Sequence, residues 1–307
     1  MNRHLGFLLL MTMLVGCSAA RVEPPAFDGQ RAFAYLVKQV ELGPRVPGTA
    51  AWEQARALYY SHFQSLGIVV DSQVFEFFDP YSRSVKPLVN VIARVKGSRP
   101  EGPPILLVAH YDSRPRTDFH SDPQRTTDPL TGANDGASGV AVLMELANLF
   151  AAKPPESDIE LLLVDGEDWG MEGDTDHYLL GARYFASRGI HGKYRLGIVI
   201  DMVGGKDMQI FREVYSERYN KPLNDMVWEA AGRLALPAFR DSVKHVVLDD
   251  HLPINAGSVP AIVLIDFDYE YWHTEKDIPQ NCSAGSLEQV GRLLAEIAYN
   301  RSLWPDK

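Results

Sequence analysis

Carboxylates and histidines follow directly on short apolar runs of this chain. Four such runs occupy residues 105–109, 159–164, 196–200 and 261–265. The segments that follow them are acidic or contain a histidine. In the same order, they contain His110 and Asp112, then Glu167 and Asp168, then Asp201, and finally Asp266 and His273. Many carboxylates at one place repel one another unless a cation lies among them. Carboxylates with one imidazole and no thiolate suit a catalytic zinc, whose three protein ligands leave one position open. A carboxylate that does not bind the metal is then free to carry protons.

Each of these motifs has an ordinary structural explanation when it is taken alone. Asn134-Asp135-Gly136 is typical of a turn, because Asn and Gly tolerate positive φ. A single histidine such as His273 is more often a hydrogen-bonded structural residue than a ligand. Asp249-Asp250-His251 is typical of a helix cap. Only their occurrence together, with several placed at the ends of buried runs, indicates one site.

The segments between the motifs predict how the motifs are brought together. Helical spacing of apolar residues predicts helices, and short apolar runs predict buried strands. Helices are predicted at 33–40, about 51–66, around 140–150, and at 178–187, 223–234 and 287–302, and strands at 69–77 and 88–95 in addition to the four runs above. Strands alternating with helices predict an α/β fold, a three-layer sandwich with a central mostly parallel (mixed) sheet flanked by helices. Ligands of such sheets bind beyond the carboxyl ends of the strands.

The first residues predict export and a lipid anchor. Arg3 and His4 precede an apolar run over 5–15 that is shorter than the about 20 residues needed to cross a bilayer. The segment 14–17, Leu-Val-Gly-Cys, resembles a bacterial lipobox, which implies removal of residues 1–16 and acylation of Cys17. A plain signal peptide is the alternative. We expect a tether over 17–27 and a single domain over 28–307, carried across the inner membrane and held by lipid on the periplasmic side of the outer membrane.

Composition restricts the classes of partner. The formal net charge of −10 argues against nucleic acid, because phosphate binding needs a basic surface. The chain has two cysteines, and acylation of Cys17 would leave Cys282 with no partner for an intramolecular disulfide. The sequence therefore predicts a fold that depends on its core, with the lipid bilayer as one partner.

Six motifs occur in an order that resembles the zinc aminopeptidase family that also contains the glutaminyl cyclases. They are Ala-His-Tyr-Asp-Ser, Gly-Ala-Asn-Asp-Gly-Ala-Ser-Gly, Asp-Gly-Glu-Asp, Ile-Asp-Met-Val-Gly, Asp-Asp-His and Trp-His-Thr-Glu-Lys-Asp, spread over about 110–277. The resemblance implies that Asp135, Asp168 and His273 bind zinc and that Glu167 is the catalytic carboxylate. The resemblance also implies that the substrates are the N-termini of peptides or proteins.

The resemblance leaves two activities open. In the aminopeptidases, residues matching His110 and Asp201 serve a second zinc, and Asp112 is a further candidate for that metal or for supporting its ligands. The cyclases resemble enzymes with one zinc, in which residues matching Asp201 and Asp250 line the site. We therefore expect one zinc for cyclisation of N-terminal glutamine to pyroglutamate, with release of ammonia, and two for an aminopeptidase.

Two features resemble the cyclases, and two depart from their animal members. The doublet Asp249-Asp250 stands where aminopeptidases commonly have Ser-Asp, and Trp272 stands where they commonly have tyrosine. Animal cyclases have a tryptophan in the position of Gly173, near Trp169 of this chain, and glutamate in the position of Asp168. We expect Trp272 and Trp169 to contact substrate. A non-catalytic binding module on the same fold is the remaining alternative, and it would not need the complete set of ligands and acids.

Overall fold

Seven helices and eight strands form along residues 21–305, the part of the chain that the computed structural model describes. The helices are α1 (Gly29–Glu41), α2 (Ala50–Ser65), α3 (Ala137–Ala152), α4 (Leu180–Ser187), α5 (Val214–Arg233), α6 (His251–Ala256) and α7 (Ala284–Tyr299). The strands are β1 (Val69–Asp79), β2 (Ser84–Val95), β3 (Ile105–His110), β4 (Ile159–Val164), β5 (Gly197–Asp201), β6 (Ile210–Arg212), β7 (Phe239–Val243) and β8 (Ala261–Ile265). The predicted signal peptide and Cys17 lie outside the described residues.

The main sheet combines an antiparallel hairpin with a parallel half. Within residues 21–305 its strand order is β1-β2-β4-β3-β5-β8. The pairs β1–β2 and β2–β4 are antiparallel, whereas β4–β3, β3–β5 and β5–β8 are parallel. A separate pair, β6–β7, lies outside this sheet. The predicted α/β sandwich with a mostly parallel mixed sheet is confirmed.

Helices cover both faces of the sheet because its central strands are apolar on both sides. In β3, Leu107 and Ala109 pack into the core that holds α1, α3 and α7, whereas Leu106 and Val108 pack into the core that holds α4 and α6. All four side chains are buried. Burial of a leucine or valine side chain contributes about 1.5–3 kcal/mol, so the two cores together fix the strands that carry the acidic motifs.

The parallel half of the sheet places the acidic motifs at one edge. His110 at the end of β3 is in register with Val164 at the end of β4, and Asp201 at the end of β5 is in register with Ile265 at the end of β8. Parallel strands have their carboxyl ends on the same side. The residues that follow these strands therefore meet above one edge, where α3 also begins.

Three short elements and one helix start differ from the sequence prediction. Strands β6 and β7 and helix α6 were not predicted, and each has six residues or fewer. Helix α5 begins at Val214 and not at 223, and contains Pro222 and the non-helical Asn220 (φ −138°, ψ 45°). Proline removes a helical hydrogen bond and kinks the chain, so the apolar periodicity becomes regular only beyond it.

Residues 21–27 lie against the domain. The backbone N–H of Val22 donates to Oδ1 of Asn300 at 2.8 Å, and Nδ2 of Asn300 donates to the Val22 carbonyl at 3.0 Å. Phe27 is buried against α7, where a Cβ on Gly291 would lie 2.2 Å from its ring. The segment predicted as a tether is thus fixed to the fold from Val22 onward. Within the described range, the helices are too short or too polar to cross a bilayer.

Candidate metal centre and active site

Asp135, Asp168 and His273 come together at the carboxyl edge of the sheet. Asp135 precedes α3, Asp168 follows β4, and His273 lies in the loop after β8. All three are buried, and one donor atom from each lies within 4.8 Å of the others. Nε2 of His273 is 3.4 Å from Oδ2 of Asp168 and 3.7 Å from Oδ2 of Asp135.

These three residues fit a zinc ion by distance and by unsatisfied atoms. Two donors bound tetrahedrally to one zinc at about 2.0–2.1 Å lie about 3.4 Å apart. The separations in the trio are close to that value and longer than good hydrogen bonds. Oδ2 of Asp168 is buried and has no hydrogen-bond partner among residues 21–305. A buried carboxylate oxygen needs compensation, and a cation between these donors supplies it.

His110 and Asp201 form a second cluster with the other oxygen of Asp135. Nε2 of His110 lies 3.1 Å from Oδ1 of Asp135 and 3.1 Å from Oδ1 of Asp201. These separations are within hydrogen-bond range. Burial opposes charging of the imidazole, but the surrounding carboxylates, Asp201 foremost, raise the pKa of His110 well above its usual range. His110 thus has a hydrogen bond to Asp201 and lies at hydrogen-bond distance from Asp135 in this arrangement.

Asp112 supports the loop that carries Glu167 and Asp168. Its Oδ1 accepts from the backbone N–H of Glu167 at 3.2 Å, and its Oδ2 accepts from that of Asp168 at 3.3 Å. It also lies 3.6 Å from Nδ1 of His110. The structure therefore places Asp112 behind both clusters, as a support for residues that face the metal and not as a member of either donor trio.

Glu167 lies in the wall of the cavity beside the trio. Its side chain is half-buried and lines the same cavity as Asp135 and Asp168. Burial raises the pKa of Glu167 well above its usual range, against the opposing effect of His110. A shift in this direction favours the protonated form of the carboxyl group, as a group that must also donate a proton needs.

The doublet before α6 has one member in the cavity wall. Asp249 lines the cavity, and its Oδ1 accepts from the backbone N–H of Asp250 at 2.5 Å. Asp250 is 1% exposed and does not line the cavity, and neither of its oxygens has a hydrogen-bond partner in the described chain. Burial raises the pKa of Asp250 to about 8. Asp249 thus lines the cavity, whereas Asp250 is buried beside it and lies close enough to Glu167 for its charge to raise the pKa of that residue.

The two predicted substrate-contacting tryptophans differ in position. Trp272 lines the cavity and stacks on His273, with ring centroids 4.0 Å apart. Trp169 is buried, donates from Nε1 to Oδ1 of Asp79 at 3.1 Å, and is not part of the cavity wall. Phe119, which the sequence did not indicate, is 56% exposed and lies against Trp272. The aromatic wall is therefore formed from the loops around His273.

Two residues outside the predicted site hold the loop that bears Asp135. Asp277 accepts from the backbone N–H of Asn134 at 2.8 Å and of Asp135 at 3.2 Å. Arg45 is fully buried and donates to backbone carbonyls around this loop, namely those of Tyr111, Thr131 and Gly132. The loop over residues 43–48 therefore contacts the loop of Asp135 through Arg45. These residues follow α1 and lie far from the acidic motifs in the sequence.

The site opens into a cavity of about 1000 Å³. Its inner end carries the carboxylates of Asp135, Glu167, Asp168, Asp201 and Asp249. Its outer walls are largely apolar and come from α4, α6 and the neighbouring loops, among them Leu179, Ala186, Val247, Leu248, Leu252 and Phe267. An acidic end with room for a cation and an apolar mouth suits a ligand that has a positively charged end.

Comparisons with known proteins identify relatives of this chain. Residues 90–298 match the model of peptidase family M28. A crystal structure of a Zn-dependent exopeptidase from Parabacteroides distasonis has 34% sequence identity and a TM-score of 0.85, covering 91% of this chain and 100% of that one. The glutaminyl cyclase of Bacteroides thetaiotaomicron, bound to N-acetylhistamine, has 31% identity and a TM-score of 0.85, with 91% and 99% covered.

Curated relatives include both peptidases and cyclases. The glutaminyl-peptide cyclotransferase of Bothrops jararaca is 24% identical over 290 residues, which cover 83% of this chain and 76% of that one. A probable zinc metalloprotease of Leptosphaeria maculans is 33% identical over 153 residues, 50% of this chain, and the match spans only 34% of that longer protein. The match to the family model covers more than half of the chain and includes Asp135, Asp168 and His273. The protein is therefore a member of peptidase family M28, a zinc-dependent enzyme family.

Proposed function

We propose that the protein is a zinc-dependent glutaminyl-peptide cyclotransferase, which converts the N-terminal glutamine of peptides to pyroglutamate and releases ammonia. The observation that carries the proposal is the difference between the two clusters that share Asp135. The donors of the His273 cluster are spaced for a zinc ion, at 3.4 and 3.7 Å. His110 lies at hydrogen-bond distance from its two acids, 3.1 Å in each case. One zinc, bound by Asp135, Asp168 and His273, is the arrangement that this spacing favours.

The proposed reaction uses Glu167 as the proton carrier. A bound zinc would supply a Lewis acid for the side-chain amide carbonyl of glutamine. The neutral α-amine attacks the side-chain amide carbon, and Glu167 accepts a proton from that nitrogen as the new C–N bond forms. Glu167 then donates the proton to the amide nitrogen as the old C–N bond breaks, so that ammonia leaves. The raised pKa of Glu167 suits both steps.

The acids opposite the trio would orient the substrate. Asp201 and Asp249 line the inner end of the cavity and do not belong to the proposed zinc trio. Hydrogen bonds from the amine to these carboxylates would hold the nitrogen toward the amide carbon, which is how positioning lowers a barrier. Trp272 offers an apolar surface beside His273, on which the methylenes of a glutamine side chain would pack.

An aminopeptidase is the second candidate, because the residues of a second metal site are present. His110, Asp135 and Asp201 offer three donor atoms within 4.8 Å of one another. These residues could hold a second zinc beside the first, and such a pair of metals would supply activation of a water for hydrolysis of the first peptide bond. Overall similarity does not choose between the activities, since the exopeptidase and the cyclase neighbours have the same TM-score of 0.85.

Two peptides that differ only in the first residue test the proposal. The purified zinc-loaded protein is incubated with a glutamine-starting and a leucine-starting peptide, and the products are identified by mass spectrometry. We expect the glutamine peptide to lose one ammonia and the leucine peptide to remain intact. Release of free leucine, with the glutamine peptide uncyclised, would establish the aminopeptidase instead.

A further inference from the structure

Arg114 lies behind the zinc trio and contacts one of its members directly. The residue follows β3 by four positions and is 1% exposed. Its Nη1 donates to Oδ1 of Asp168 at 2.5 Å and to the backbone carbonyl of the same residue at 3.2 Å. Its Nη2 donates to the hydroxyl of Tyr178 at 3.1 Å. The guanidinium thus donates a hydrogen bond to one oxygen of Asp168, Oδ1, while the other oxygen, Oδ2, faces His273.

Asp118 extends this contact to a second member of the trio. Its Oδ2 accepts from Nε of Arg114 and lies 3.4 Å from Nδ1 of His273. The other ring nitrogen of His273, Nε2, faces Asp168 and Asp135. A carboxylate near one nitrogen of a histidine fixes the ring orientation and presents the opposite nitrogen to a metal.

The four side chains therefore form a continuous connection, Asp168–Arg114–Asp118–His273, that joins two zinc ligands from outside. We propose that Arg114 and Asp118 are positioning residues that set the spacing of these two ligands and restrict Asp168 to one metal-binding oxygen. We call the pair Arg114 and Asp118 the ligand clamp. The inference rests on the zinc ligands of the proposed function and not on the identity of the substrate.

The chemistry of the clamp requires an arginine. Its planar guanidinium presents donors in fixed directions, so Nε reaches Asp118 while the two Nη atoms reach Asp168 and Tyr178. A lysine offers one charged nitrogen and cannot hold both carboxylates in the same geometry. The positive charge of Arg114 is balanced by Asp118, so the clamp orders the ligands without adding net charge to the site.

Arg116 provides a matched control two positions away. Its Nη1 donates to the backbone carbonyls of Trp169 at 3.0 Å and Gly170 at 2.6 Å. It therefore holds the loop after Asp168, as Arg114 does, but makes no hydrogen bond to the side chain of a ligand. A role of Arg114 that is limited to loop anchoring predicts the same effect for both arginines.

The test compares zinc affinity in Arg114→Lys, Asp118→Asn and Arg116→Lys. Zinc dissociation constants are measured by competition with a chelator, and the melting temperature of each zinc-free protein is recorded alongside. We expect Arg114→Lys and Asp118→Asn to weaken zinc binding about 10–100-fold, as is usual for residues that orient metal ligands. We expect Arg116→Lys to bind zinc like the wild type. Unchanged zinc affinity in both clamp variants, or an equal loss in Arg116→Lys, would overturn the inference.

Cobalt replaces zinc for a second measurement that does not depend on affinity. In Arg114→Met the donor is removed, Oδ1 of Asp168 becomes free, and the carboxylate can bind the metal through both oxygens. We expect the visible absorption of the cobalt-loaded variant to be weaker than that of the wild type, as it is when a fifth ligand is added to a tetrahedral ion. An identical cobalt spectrum in a folded Arg114→Met protein would contradict the one-oxygen role. Neither measurement uses a peptide, so failure of the cyclase proposal would leave both results interpretable.

Discussion

Nε2 of His110 lies 3.1 Å from Oδ1 of Asp135, a hydrogen-bond distance, whereas the same carboxylate presents its other oxygen to His273 at 3.7 Å. The two oxygens of Asp135 therefore serve different purposes. We predict that the purified protein binds one zinc, that His273→Ala loses it, and that His110→Ala retains it. Metal analysis after dialysis measures the stoichiometry. Two zincs per chain, one of them lost in His110→Ala, would favour the aminopeptidase.

Glu167→Gln is predicted to separate catalysis from metal binding. Glutamine has nearly the same shape but no basic oxygen, and Glu167 is not in either donor trio. Loss of a general acid–base typically lowers a rate about 10²–10⁴-fold. We expect a loss of that size in kcat for a glutamine-starting peptide, with zinc content unchanged. Loss of the zinc in this variant would mean that Glu167 is a ligand.

Much of this site was predictable because the signals are local. A strand that is buried on both faces ends where polar residues begin, and parallel pairing places those ends together. The sequence predicts the positions of His110, Asp201 and Glu167 in this way. The order of the motifs then assigned Asp135 and His273, which lie in loops without periodicity.

The other features of the site depend on contacts between distant parts of the chain, which local sequence patterns do not encode. Arg114 and Asp168 are 54 positions apart, and only the folded chain shows their hydrogen bond. Which member of the Asp249-Asp250 pair faces the cavity depends on the direction of the backbone just before α6. Trp169 is adjacent to Asp168 in sequence, yet its indole turns away from the cavity to reach Asp79.

We propose that Cys17 carries the lipid anchor, and Cys17→Ala is predicted to release the protein from membranes or to block its processing. Val22 is hydrogen-bonded to Asn300 of the domain, and only five positions of the sequence separate it from Cys17. At about 3.5 Å per residue this connection would keep the domain within about 20 Å of the bilayer. Membrane fractionation with mass analysis of the mature N-terminus measures this. An unacylated N-terminus at another residue would refute the anchor.

Asp266→Asn is predicted to change the pH dependence of stability. Burial raises the pKa of Asp266 to about 6, above its usual value of 3.8. A raised pKa means that the folded protein binds this proton more tightly than the unfolded chain does. The resulting stabilisation of the fold is complete below about pH 4 and is lost as the pH rises through about 6. The wild type should therefore lose up to about 3 kcal/mol relative to the variant between pH 4 and 7. Urea unfolding of both proteins across this range measures the difference, and parallel curves would contradict the assignment.

The last prediction separates the two aspartates of the doublet. Asp249 lines the cavity, so Asp249→Asn should weaken the orientation of the substrate amine and lower kcat/KM for a glutamine-starting peptide by about 10-fold or more, through misplacement and not through loss of metal. Burial raises the pKa of both carboxyl groups, but only Asp249 lines the cavity, and the pKa of about 8 keeps Asp250 mostly protonated at neutral pH. Asparagine resembles that neutral form, so Asp250→Asn should retain most activity at pH 7. The rates of both variants on the glutamine-starting peptide, compared at equal zinc content, show which aspartate orients the amine. A larger loss in Asp250→Asn would return the amine-orienting role to Asp250, as the sequence alone had indicated.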